Sequence, residues 1–95
     1  PTAPPLSVNA AVGRVRTAVV AGRELGQIRP DVAQDLINLL GPLGRAKDAD
    51  VRQRVEELQR KVLERVEEGS IDGARAGLLQ ARLADLARAA EHGSG

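Results

Sequence analysis

Two stretches of this chain carry the same helical pattern, and their spacing restricts the fold more than any other feature. Apolar residues and glycines in 8–43 recur 43 positions later in 51–86. The matched set includes Gly26-x-Ile28 in the first stretch and Gly69-x-Ile71 in the second. Helical periodicity alone brings some apolar residues into register by chance, but a Gly-x-Ile pair also fixes the phase of the match. We therefore predict two copies of one helix–turn–helix unit.

The repeat sets the predicted domain limits. Residues 1–6 are rich in proline and are predicted to form a linker, and residues 91–95 a disordered tail. Residues 7–90 form one helical domain, with the first repeat at 8–44 and the second at 50–88. Loops of about four residues within each unit force neighbouring helices to run antiparallel. The predicted fold class is all-α: an antiparallel bundle of four helices built from two tandem helix–turn–helix repeats.

The first unit has the expected stop and start signals of two helices. Ser7 or Asn9 can cap the first helix. Gly26 is predicted to take a left-handed conformation just past its end, and Ile28 to fold back as a plug. Pro30 then fits the first turn of the second helix.

The second helix has the widest apolar arc of the chain, roughly 160° at 100° per residue. A helix of this kind touches more than one neighbour, so we expect it at the centre of the bundle. Leu36 is predicted to be a core residue of this helix. Gly41-Pro42 should end or kink it, because proline lacks the backbone N–H that the helix needs.

The second unit repeats these roles. Asp50 with Gln53 resembles a capping box for the third helix, and Asp72 is the predicted cap of the fourth. Gly69 and Ile71 correspond to the turn residues of the first unit.

Four further leucines bear on the core and the surface. Leu79 corresponds to Leu36 and is predicted to be buried in the same way. Leu39 and Leu78 lie at the margins of the apolar arcs of their helices, and a contiguous patch formed by such residues would mark a site for a partner or a second copy. Leu63 takes the place of Val20 in the second repeat, so the apolar pattern is kept although the residue differs.

The composition excludes several functions. The chain has no aromatic residue and no cysteine. Stacking platforms for single-stranded nucleic acid and cages for quaternary ammonium groups need aromatic rings, and cysteine-rich zinc sites and thiolate nucleophiles need cysteine. The net charge is +1, with a mild excess of arginine in residues 1–30. Nucleic-acid binders carry a more concentrated basic face, so nucleic acid is not an expected partner.

No residues suggest catalysis, a metal or a cofactor. His92 is the only histidine and falls in the predicted tail, whereas a metal site needs several converging ligands. Glu56-Glu57 and Glu67-Glu68 are adjacent pairs, whose side chains point about 100° apart on a helix and cannot act on one point. The segment is expected to be non-catalytic.

The segment has no apolar run of the ~20 residues that a membrane span requires and no signal peptide. We expect it to be soluble, with a membrane involved only through a longer parent protein.

A resemblance rests on residues 20–36, which read Val-Ala-Gly-Arg-Glu-Leu-Gly-Gln-Ile-Arg-Pro-Asp-Val-Ala-Gln-Asp-Leu. The run is similar to the C-terminal regions of actinobacterial transmembrane serine/threonine protein kinases, which carry helical repeats with a Gly-x-Ile-Ser/Thr-Pro-x-x-Ala-x-x-Leu pattern. Related helical modules of the FIVAR type occur outside kinases. The chain departs from the pattern at Arg29, where the family prefers Ser or Thr, and at Gly73, where the first repeat has Pro30.

The resemblance implies a sensor or interaction domain on the extracellular face of a membrane-anchored receptor kinase. The kinase motifs themselves are absent from this chain. The alternative is a cytoplasmic helical adaptor or oligomerisation bundle that docks a partner protein. Both functions require a protein partner or self-association. The residues do not indicate a small-molecule ligand.

Overall fold

The computed structural model describes residues 7–93 of the chain. Four α-helices and one short 3₁₀ helix account for most of these residues. They are α1 (Val8–Glu24), α2 (Pro30–Leu40), the 3₁₀ helix (Gly41–Arg45), α3 (Asp48–Glu67) and α4 (Gly73–Gly93). The chain is all-α over this range, with a radius of gyration of 13.0 Å, as expected for a packed domain of this length.

The helix starts follow from local hydrogen bonding. The Ser7 hydroxyl accepts a hydrogen bond from the Ala10 backbone N–H at 3.1 Å, so Ser7 rather than Asn9 caps α1. Asp72 caps α4 as predicted, with its carboxylate accepting from the backbone N–H groups of Ala74 and Arg75. Helix α2 begins at Pro30, with no side-chain cap from Arg29.

The predicted N-cap of α3 is wrong by three residues. The helix begins at Asp48, and its N-cap is Lys47, which makes no side-chain cap bond. Asp50 therefore lies inside the first turn and does not form a capping box with Gln53. The carboxylates of Asp48 and Asp50 still favour this end, because they face the positive end of the helix dipole.

The ends of the predicted domain also need adjustment. Helix α4 continues to Gly93 rather than ending at residue 90. Ala89 and Ala90 are buried, so packing holds the last turns in the helix. The predicted linker at 1–6 and the final residues 94–95 of the predicted tail lie outside the described residues.

Both interhelical turns have the same backbone structure. Gly26 has φ +75° and Gly69 has φ +84°, the left-handed conformation that glycine adopts without a Cβ clash. The N–H of Gln27 donates to the Gly22 carbonyl at 2.8 Å, and that of Ser70 donates to the Arg65 carbonyl at 2.8 Å. These are the 6→1 bonds of a Schellman motif, so each turn satisfies carbonyls that the helix end leaves unpaired.

The two turns bind each other through the backbone. Ile28 and Ile71 form an isolated antiparallel bridge. On one side of it the Arg29 N–H donates to the Ser70 carbonyl at 3.0 Å, and on the other the Asp72 N–H donates to the Gln27 carbonyl at 2.7 Å. Ile28 and Ile71 are both buried.

The core is entirely aliphatic, and its middle lies where all four helices meet. Leu36 and Leu79 are buried there, 3% and 1% exposed. They line a void of about 10 Å³ together with Val15, Val19, Leu40, Leu58, Val62 and Leu83. A void this small with no polar lining does not hold a water molecule, so these eight side chains form a dry, closely packed centre.

The central helix is α4, not α2 as the sequence suggests. Helix α4 packs extensively on both α1 and α3, whereas α2 packs mainly on α1 and the 3₁₀ helix and only slightly on α3. The broad apolar arc of α2 is only partly covered: Leu36 and Leu40 are buried, whereas Ile37 and Leu39 at its margins are half-buried. The α-helix ends at Leu40, and the 3₁₀ helix follows directly from Gly41.

Candidate functional site

A groove with a volume of about 250 Å³ runs between α1 and α4. Small residues of α1, Ala18 and Ala21, form its floor with the half-buried Leu78 of α4. Its edges carry arginines. The full lining, which we call the arginine groove, is Arg14, Thr17, Ala18, Ala21, Arg75, Leu78 and Arg82.

Arg75 is held in place above the groove. Its Nε donates to Oε1 of Gln27 at 2.8 Å, and its Nη1 lies 3.5 Å from the Ala18 carbonyl. The side chain of Arg75 passes close to Gly22. A Cβ added at Gly22 would lie 3.1 Å from Cδ of Arg75 and 2.6 Å from Cδ1 of Ile28. The absence of a side chain at Gly22 therefore lets Arg75 lie against α1.

The groove has an excess of positive charge. It contains three arginines and no carboxylate in its lining. Arg82 lies 3.8 Å from Asp85, which also pairs with Arg88. Within residues 7–93, neither Arg14 nor Arg75 takes part in an ion pair. These two guanidinium groups keep most of their capacity to bind a carboxylate from outside.

An exposed leucine extends the floor of the groove. Leu25 is 66% exposed and follows Ala21 by four positions at the end of α1. Residues at i and i+4 lie on the same face of a helix, so Leu25 continues the line of Ala18 and Ala21. Leu25 therefore lies on the same face of α1 as the groove floor, beyond the lining itself, and the fold leaves this large side chain uncovered.

A second groove, of about 230 Å³, lies between α2 and α3. It contains both signs of charge, and we call it the mixed groove. Lys61 pairs with Asp35 across it at 2.7 Å, and Glu57 pairs with Arg54 at 3.1 Å. Its lining is Leu39, Arg54, Glu57, Leu58, Arg60, Lys61 and Glu64.

Five positions of the two grooves correspond under a shift of 43 residues in the sequence, yet their chemistry differs. Four of these positions are charged in the mixed groove, two with each sign. The corresponding pairs are Arg14 and Glu57, Thr17 and Arg60, Ala18 and Lys61, Ala21 and Glu64, and Arg82 and Leu39. The mixed groove is crossed by its own ion pair, whereas the arginine groove remains open.

The structure assigns the predicted site residues to different places. Gly26, Ile28, Gly69 and Ile71 form the paired turns, and Leu36 and Leu79 lie at the centre of the core. Pro30 and Asp72 start α2 and α4.

The two predicted interaction residues do not form one patch. Leu39 and Leu78 are both half-buried against the core, and they line opposite grooves. Leu63 is 59% exposed, so its match to Val20 does not place it in the core. The sequence reasoning also missed Leu25. The only indication of Leu25 in the sequence is its position one helical turn after Ala21, at the end of α1.

A polar network lies at the second turn, away from both grooves. Arg65 donates to Glu68 at 2.7 Å, and the hydroxyl of the buried Ser70 donates to the other oxygen of Glu68 at 3.3 Å. The hydrogen bond to Glu68 is the main reason why the pKa of Arg65 is raised above its ordinary value. The guanidinium therefore stays charged and keeps its hydrogen bond to Glu68 at this turn.

Residues 7–93 contain neither a cluster of metal-ligand side chains nor a helix suited to a membrane. No three His, Cys, Asp or Glu side chains in this range come together as a potential metal site. None of the helices described has the length and hydropathy needed to cross a bilayer. The chain matches no protein-family model, no curated protein and no solved structure.

Proposed function

We propose that this chain is a helical protein-interaction module that acts without catalysis, and that the arginine groove is its binding surface. The observation that carries the proposal is the difference between the two grooves. Both occupy corresponding places in the fold, but only the arginine groove has no carboxylate in its lining, and two of its three arginines, Arg14 and Arg75, take part in no ion pair among residues 7–93. The fold does not require arginines at these positions, since the mixed groove has Glu57 in place of Arg14 and Leu39 in place of Arg82.

We further propose that the module is an antiparallel bundle of two tandem helix–turn–helix repeats related by an approximate two-fold axis. The hydrogen bonds of the turns support this interpretation. The backbone hydrogen bond from Arg29 to Ser70 has a counterpart in the bond from Asp72 to Gln27. Asp72 lies 43 positions after Arg29, and Gln27 lies 43 positions before Ser70. The eight side chains around the central void also form four pairs of this kind.

The proposed setting is the extracellular part of a receptor-type serine/threonine kinase, and its support is the resemblance of residues 20–36. Binding or self-association of such a module raises the effective concentration of the tethered kinase domains. If the gene that encodes this chain specifies no kinase domain and no membrane span, the cytoplasmic adaptor replaces this setting. The proposal that the arginine groove binds protein is independent of that choice.

A groove variant in the parent protein tests the function. We expect the double substitution Arg14→Glu and Leu25→Gln to reproduce the effect of deleting residues 8–90 on phosphorylation of the parent in cells. The matched control is Arg16→Glu with Leu63→Gln, which alters an exposed arginine of α1 outside the groove lining and the other exposed leucine. The control should behave like the wild type. A deletion mutant that signals like the wild type would contradict the proposal, as would equal effects of the two double variants.

A further inference from the structure

We infer that the arginine groove takes one acidic amphipathic helix from a partner protein. The inference rests on the proposed function and adds the chemistry of the partner. In the complex, the apolar face of the partner helix covers Ala18, Ala21, Leu25 and Leu78, and its carboxylates reach Arg14, Arg75 and Arg82.

The shape of the floor indicates a helix. The groove together with Leu25 follows α1 from Arg14 to Leu25, a distance of about 16 Å at 1.5 Å per residue, or three helical turns. Small residues such as Ala18 and Ala21 let another backbone approach closely, and leucine side chains pack into the grooves between the ridges of an incoming helix. A helix laid into an apolar groove is one of the common modes of peptide recognition.

The charges indicate an acidic partner. Arg75 and Arg82 lie seven residues apart on α4, or about 10 Å along the helix axis, which is two turns. Arg14 stands on the opposite helix. Guanidinium groups bind carboxylates through two parallel hydrogen bonds, and Arg75 is already oriented by Gln27. A helix with glutamates two turns apart on one edge and another glutamate on the other edge complements this arrangement.

The same features argue against nucleic acid. Its phosphates would satisfy the arginines but would leave the alanine and leucine floor without an apolar partner. Specific nucleic-acid interfaces are polar and strongly positive throughout, and the groove is apolar between its charged edges.

The experiment uses a fluorescein-labelled synthetic peptide of 18 residues with leucine at heptad positions a and d and glutamate at e and g. Two companion peptides have glutamine or lysine in place of glutamate. Fluorescence anisotropy should show saturable binding of the glutamate peptide, at least about tenfold weaker binding of the glutamine peptide, and no saturation with the lysine peptide.

Variants of the full chain locate the binding site. Arg14→Glu and Leu25→Gln should each weaken binding of the glutamate peptide about tenfold, the effect of losing one charge-assisted or apolar contact. Arg16→Glu and Leu63→Gln make the same chemical changes outside the groove and should leave binding within about twofold. Circular dichroism melts should show that all four variants fold.

The contrary outcomes separate the inference from the proposed function. Equal binding of the glutamine and glutamate peptides, still weakened by Leu25→Gln, would overturn the acidic partner but leave a helix-docking groove. If Arg14→Glu and Arg16→Glu weaken binding of the glutamate peptide equally, the peptide responds only to the net charge of the protein, and the inference is overturned. A third outcome would overturn both proposals. In it, no peptide shows saturable binding, but phosphatidylserine vesicles or a 20-base-pair DNA duplex bind the protein, and Arg14→Glu abolishes that binding.

Discussion

Ile28 and Ile71 pair with each other in an antiparallel bridge, although each belongs to a different turn and they lie 43 positions apart. The hydrogen bonds on either side join backbone to backbone. Each isoleucine therefore closes the end of its own helix pair and also holds the other pair in place. Helix packing and this short bridge together fix how the two halves of the molecule meet.

The first prediction concerns the glycines that precede these isoleucines. Gly26→Ala and Gly69→Ala should each lower the free energy of unfolding by about 1–2 kcal/mol, because an L-residue is strained at positive φ. An added Cβ would meet no neighbouring atom at either position, so the cost is conformational and not steric. Urea denaturation followed by circular dichroism measures it. Gly26→Asn should cost less, because asparagine tolerates this conformation better than alanine does.

The second prediction concerns the core. Leu36→Ala and Leu79→Ala should each cost about 2–5 kcal/mol, through lost apolar contact and an enlarged cavity at the central void. The two losses should be similar, because both side chains line that void. Leu25→Ala and Leu63→Ala serve as controls and should change stability by less than about 0.5 kcal/mol. A small effect at Leu36 together with a large one at Leu63 would contradict the described packing.

The third prediction compares two glycines within α1. Gly13→Ala should stabilise the protein by about 0.5–1 kcal/mol, because alanine favours the helix and its Cβ would point into open space. Gly22→Ala should instead destabilise it by about 1 kcal/mol or more, because the new Cβ overlaps the buried Ile28 and overpacking outweighs the helical gain. Thermal melts of the two variants should shift in opposite directions. Equal stabilisation would mean that Ile28 moves freely.

The fourth prediction concerns the helix caps. Asp72→Ala removes two hydrogen bonds to the first turn of α4 and should cost about 1 kcal/mol. Arg29→Ser places a capping hydroxyl at the corresponding start of α2, where the backbone has the extended conformation of an N-cap but no side-chain cap bond. It should add up to about 1 kcal/mol. The exposed pair of Arg29 with Asp31, at 3.3 Å, offsets little of this gain. No change in stability in both variants would show that the caps do not matter here.

The sequence predicted what is local to each helix pair. Gly26 and Gly69 are glycines because the turn needs positive φ, and helical spacing correctly placed Leu36 and Leu79 inside. The start of α3 was missed because its N-cap, Lys47, makes no side-chain cap bond, whereas the pattern favoured Asp50. The central position of α4 was missed because the width of an apolar arc does not show how much of it is packed, and Ile37 and Leu39 of α2 are only half-buried.

The candidate site could not be predicted in the same way. Arg14 is separated from Arg75 and Arg82 by more than sixty positions, so their convergence depends on how α1 meets α4. The periodicity of one helix contains no information about which neighbour it faces. Leu25 looked like one more apolar residue at a helix end, and only its exposure distinguishes it from the leucines of the core.

The exposed position of Leu25 also makes this protein easy to observe by optical spectroscopy. With no tryptophan, tyrosine or phenylalanine, the native chain has no side-chain absorbance at 280 nm and no intrinsic fluorescence. A tryptophan introduced in place of Leu25 would be the only fluorophore of the molecule, and it would stand in water until a partner covered it. Its emission would then shift to the blue, so the free and occupied groove could be distinguished without a dye and without background from the rest of the fold.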